Sequence, residues 1–195
     1  TMASQAAAAA TVAQAPQYEP SVDGPVMVRI SDVIPRRVDW LWEQRFPLGK
    51  ISLLIGDPGL GKSTLTLDLA ARITNGSPWP DAGHAPQGSV VILTAEDGLD
   101  DTVAPRLIAS GANTHFVIAL TAIRTGENER SFTLDRDIPA LESAIAKHRP
   151  VAVIIDPLSA YMGGRIDSHV DTDVRGILGP LAMIADKYQT AVICV

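Results

Sequence analysis

Gly56-Asp57-Pro58-Gly59-Leu60-Gly61-Lys62-Ser63 fits the phosphate-loop spacing G-x-x-x-x-G-K-[ST], and its flanks decide how it is read. The apolar run Ile51-Ser52-Leu53-Leu54-Ile55 leads into it, and a helical pattern opens at Lys62. In a strand–loop–helix of this kind the glycines let the backbone curl so that N–H groups face phosphate oxygens. The helix behind the loop adds the positive end of its dipole. The candidate nucleotide-binding residues are therefore Gly56, Asp57, Pro58, Gly59, Leu60, Gly61, Lys62, Ser63 and Thr64. Lys62 is expected to reach the β- and γ-phosphates and Ser63 to offer its hydroxyl to Mg²⁺.

Working outward, strand and helix patterns alternate. Helix is expected over 62–74, stopped by Asn75-Gly76, then strand over 90–95 and helix over 99–110, closed by Gly111. Strand over 116–120 and a turn-rich excursion follow. A helix over 137–148 with Ile138, Leu141 and Ile145 on one face leads to strand over 151–155. A long helix from about 172 carries Ile177, Leu178, Leu181, Ile184 and Ala185 as its apolar stripe, before a last strand over 190–195. Such alternation predicts an α/β domain with a mostly parallel central sheet covered by helices on both faces. Pro105 and Pro180 fall inside helical patterns and are expected to kink or restart them. Residues 1–25, rich in Ala, Gln and Pro, read as a flexible leader, and 26–195 as the folded core.

Composition narrows the classes. With 195 residues, 46% of them hydrophobic, there is material for one sizeable core. Cys194 is the only cysteine, which excludes a disulfide framework and a thiolate metal cluster and points to a reducing, cytoplasmic setting. No apolar run is long enough to span a bilayer. A net charge of −6 argues against a broad basic surface, so any nucleic-acid contact must be local or assembled from several subunits.

Two carboxylates are candidates for the chemistry. Val151-Ala152-Val153-Ile154-Ile155-Asp156 is a buried-strand run ending in an acid, which puts Asp156 at the carboxyl edge of the sheet, beside the phosphate loop, where it can hold Mg²⁺. Val90-Val91-Ile92-Leu93-Thr94-Ala95-Glu96-Asp97 is a second such run. Glu96 at that edge can orient the water that attacks the γ-phosphate, while Asp97 or Asp100 suits a helix cap.

Gly56–Thr64, Thr94-Ala95-Glu96-Asp97, the 101–107 helix and Ile155-Asp156-Pro157-Leu158-Ser159-Ala160-Tyr161 together resemble the RecA-like P-loop ATPases, nearest the branch of RepA-type hexameric helicases and related phage and plasmid ATPases. The resemblance implies ATP and Mg²⁺ as cofactors, Glu96 with Lys62 as the catalytic pair, and Ser63 with Asp156 as the metal residues. It also implies a homo-oligomeric, hexameric ring whose 161–173 loop, with Gly163-Gly164-Arg165, touches single-stranded DNA. In relatives the strand corresponding to 190–195 leads to a polar γ-phosphate sensor, further strands and a basic finger, so the chain resembles a truncated core. Arg106 and Arg175 resemble positions that recur in the family's helices. Trp40 and Trp42 suit packing of the segment before the core better than stacking on adenine. The acid-rich stretch Asp167–Asp173 reads as a polar loop ending in a helix cap.

Overall fold

The computed structural model describes residues 24–163 and 171–195, with backbone alone at 171–173. The expected leader lies outside the described residues but for Gly24 and Pro25. The chain divides into two units, residues 1–37 and 38–195. In the first, the described part is extended around a 3₁₀ turn, Ile30–Asp32.

The second unit opens with a short antiparallel pair, β1 (Trp40–Trp42) and β2 (Phe46–Pro47). It continues through β3 (Ile51–Leu53), α1 (Lys62–Asn75) and β4 (Val90–Thr94). A π-helical turn, Leu99–Val103, runs into α2 (Ala104–Ala109), and β5 (Val117–Ala119) follows. The turn-rich excursion is a small hairpin, β6 (Ile123–Thr125) with β7 (Asn128–Arg130). Then come α3 (Leu134–His148), β8 (Ala152–Asp156), a 3₁₀ turn over Leu158–Tyr161, α4 (Asp171–Tyr188) and β9 (Ala191–Cys194).

The central sheet is five-stranded, in the order β3-β9-β8-β4-β5, and every pairing is parallel. Its inner strands, β9, β8 and β4, read as continuous apolar runs because both of their faces are covered. In β8, Ala152 and Ile154 pack with Leu69, Ile73 and Leu107 from α1 and α2. Val153 and Ile155 point the other way, to Leu141 and Ile145 of α3 and Leu181 and Ala185 of α4. β4 alternates in the same manner, Val90 and Ile92 against Val91 and Leu93. One strand thus feeds two cores, the consequence of a side-chain period of two.

Several boundaries differ from expectation for identifiable reasons. Gly76 at φ 64° ends α1 as the sequence suggests, its N–H bonding back to Arg72 and Ile73 carbonyls. Pro105 does restart a helix: it lies in the first turn of α2, where a missing N–H costs nothing. Pro180, in contrast, sits inside α4 with no assigned break. The carbonyl it leaves without an N–H partner belongs to Gly176, which is exposed and can be solvated. α3 begins at Leu134 rather than 137, and Asp137 itself is non-helical (φ −111°, ψ 15°), so the regular helix does start where expected, after a kink.

Candidate nucleotide site

The phosphate loop joins β3 to α1. Gly59 and Gly61 hold φ of 79° and 81°, left-handed values that an L side chain adopts only under strain. Gly61 is also the N-cap of α1, and no side chain among the described residues accepts a hydrogen bond there. The first-turn N–H groups of a 14-residue helix are therefore presented to a ligand rather than to a neighbouring Ser or Asp. Lys62 Nζ donates to the carbonyls of Gly56 (2.8 Å) and Asp57 (2.9 Å). Those bonds use two of its three protons, holding the ammonium over the loop with one still to give to an anion.

A cleft of about 560 Å³ opens beside the loop, lined among others by Lys62, Ser63, Glu96, Arg106 and Asp156. The volume suits a nucleotide. Three separate parts of the chain deliver these groups to one place: α1 brings Lys62 and Ser63, the turn after β4 brings Glu96, and the end of β8 brings Asp156. Glu96 is exposed, as a group that must meet water would be. The β8 strand is not the immediate neighbour of β3, since β9 lies between them. Asp156 instead approaches α1, whose Thr66 Oγ1 lies 3.5 Å from Asp156 Oδ2.

Ser63 and Asp156 offer a hydroxyl and a carboxylate, hard oxygen donors of the kind Mg²⁺ prefers when phosphates and water complete its shell. The donor set fits the ion. Behind Asp156, Tyr161 is buried against Phe132. Burial, and then the Asp156 charge, push its phenol up to about 12, so it stays neutral beside the carboxylate.

The helix-cap assignment for Asp97 or Asp100 is corrected: the turn after Glu96 is capped by Gly98, without a side-chain bond. Asp97 instead accepts from Arg106 Nη1 at 3.0 Å, which brings the α2 guanidinium to the rim of the cleft. Arg175 is exposed on α4. Trp42 stacks on Trp79 at 4.7 Å between centroids and 2° between planes, and its indole N–H donates to Asp81 at 2.8 Å. With Arg45 over the Trp42 ring and paired to Asp81, this is a packing staple between the β1–β2 pair and the segment after α1, away from the cleft. Arg45 first, and then Trp42, hold Asp81 down to about 2.

The loop expected over 161–173 is narrower than its sequence implies. Tyr161 and Met162 are buried and Asp171 already belongs to α4, while Arg165 and the rest of 164–170 lie outside the described residues. Sequence reasoning missed Thr66, 1% exposed on the inner face of α1. The available signal was its place one turn after Ser63 among Leu67, Leu69 and Ala70, where a buried hydroxyl needs a partner.

A glycine loop on a helix N-terminus, followed in sheet order by an intervening strand, by a strand ending in Asp156 and by one whose following turn carries Glu96, defines an α/β P-loop ATPase fold of the RecA-like kind. A family model described as an AAA domain matches residues 17–195, and the chain belongs to that family of nucleotide-binding P-loop ATPases.

Proposed function

We propose that this domain hydrolyses ATP with Mg²⁺ and that the energy drives movement along nucleic acid, as in replicative helicases or recombination motors, within a homo-oligomeric ring. The observation that carries the hydrolytic part is the placing of Glu96, in the turn after its own strand, on the cleft that also holds Lys62, Ser63 and Asp156. In this reading the loop N–H groups and Lys62 bind the phosphates, and Ser63 and Asp156 would hold the ion, which would supply positive charge to neutralise them. Glu96 accepts a hydrogen bond from the attacking water and orients it toward the γ-phosphorus.

The nucleic-acid part is supported by the order of motifs that resembles the RepA-type branch, with the segment around Arg165 as the DNA-binding element. The acidic balance of the chain, −6 overall, favours a second reading, an ATP-dependent switch or scaffold without a nucleic-acid track. Single-stranded DNA decides between them. For the motor, DNA should stimulate ATP turnover by the assembled protein. Arg165→Ala should lower DNA affinity and flatten its salt dependence, by ~0.7 in the log–log slope for each phosphate that the arginine no longer neutralises, with ATP binding unchanged. No stimulation and no DNA binding at low salt, with oligomers confirmed and an ATP analogue present, would favour the switch.

A further inference from the structure

The two residues read as magnesium-handling, Ser63 and Asp156, arrive on α1 and at the end of β8, which pack against each other, and one buried hydroxyl lies between them. Thr66 Oγ1 donates to the Ser63 carbonyl at 2.9 Å and lies 3.5 Å from Asp156 Oδ2. The second distance is at the outer limit of a hydrogen bond, so the single hydroxyl proton sits mainly on Ser63 and can swing to the carboxylate. Among the described residues it is the one side-chain hydrogen bond made to Asp156. Thr66 is 1% exposed, so no bulk water competes for either contact. Beside it is a cavity of about 20 Å³ walled by Ser63, Thr66, Thr94, Asp97 and Asp156 together with apolar core residues. That space admits at most about one water, so nothing larger can take over the role of the hydroxyl.

We infer that Thr66 is a positioning residue for Mg²⁺: its hydroxyl orients the Asp156 carboxylate relative to Ser63, so that the two present their oxygens to one ion. The inference rests on the reading of Asp156 and Ser63 as metal residues. A carboxylate at a sheet edge rotates freely about its last bond unless a donor fixes one oxygen, and a fixed carboxylate binds an ion with less ordering cost. The alternative role of Thr66, the common bond of a helical threonine to the carbonyl three or four residues back, acts on the Ser63 main chain without Asp156 and predicts that any effect of Thr66→Val on the ion persists in an Asp156→Asn background.

Titrating Mg²⁺ at fixed fluorescent ATP analogue, in the parent and in an Asp156→Asn background, separates the two. Thr66→Val keeps the shape and removes the hydroxyl; it should raise the Mg²⁺ concentration for half-maximal binding by about 10-fold, with affinity in EDTA unchanged. Thr66→Ser, which keeps the hydroxyl, should titrate like the parent, and it should differ from Thr66→Ala in the same way if the valine variant fails to fold. Parental titrations for valine or alanine, a serine variant as weak as alanine, or a valine effect that persists in the Asp156→Asn background overturn the proposal. Asp156→Asn in parallel tests the underlying reading. If it titrates like the parent, Asp156 is no metal residue and the inference falls with it. If only Asp156→Asn shifts, the metal reading stands and Thr66 is structural.

Discussion

In the proposed reading, Lys62 is the residue on which binding turns. Its ammonium is already held 2.8–2.9 Å from two loop carbonyls, so little side-chain freedom remains to be lost when a phosphate takes the third proton. Lys62→Ala removes a charge-assisted donor while Gly59 and Gly61 keep the loop's left-handed shape. Titration calorimetry with Mg²⁺ and a non-hydrolysable ATP analogue should show micromolar affinity for the parent and none for the variant. Equal affinities would mean that the loop does not bind phosphate. At this scale the sequence was explicit, because a phosphate loop fixes residue types at fixed spacing. What it could not show was Thr66 or the Asp97–Arg106 pair, whose partners are set by packing across helices rather than by spacing.

Among the elements, the three inner strands, β4, β8 and β9, were legible because each is a run of mainly β-branched and aliphatic residues buried on both faces. Less legible were the short pairs, β1–β2 and β6–β7, which lack such a run and are held by side chains from elsewhere: Trp42 on Trp79 for the first, Arg130 on Asp137 for the second. The latter pair also shapes the start of α3. Arg130 Nη1 and Nη2 donate to both Asp137 oxygens at 2.7 and 2.6 Å, and the Thr133 backbone N–H donates to the same carboxylate at 2.9 Å. Three donors tie Asp137 at the kink, which a helical periodicity search over Leu134–His148 has no way to register.

That tie is pH-dependent. The Arg130 hydrogen bonds, opposed by burial and helped by the Thr133 N–H, hold Asp137 at about 2 against 3.8 for a free aspartate. A folded-state value below the unfolded one means that its stabilisation is complete above about pH 4 and disappears as pH falls toward 2. Arg130 is 43% exposed, so solvent screening weakens the contribution. Asp137→Asn should therefore melt lower than the parent at pH 5, and the gap should narrow by about pH 2.5 in thermal scans. A gap that stays constant would assign the variant's cost to packing instead of charge.

Across the whole molecule, the sheet order is what gathers the candidate catalytic groups around the phosphate loop. With β9 between β3 and β8, and β4 beyond β8, Lys62, Asp156 and Glu96 converge on one cleft from three parts of the chain. Order in the sheet is a tertiary property. The sequence supplied the strand ends and a resemblance from which the order could be expected, whereas the pairing registers show it directly. Glu96→Gln tests whether this convergence performs hydrolysis, since the change keeps shape and removes the charge proposed to orient the water. Measured by single-turnover ATP hydrolysis with Mg²⁺ on the assembled protein, the variant should bind ATP within a few-fold of the parent and hydrolyse it ~10²-fold more slowly. Hydrolysis at the parental rate would make Glu96 a bystander at a strand end and contradict the account.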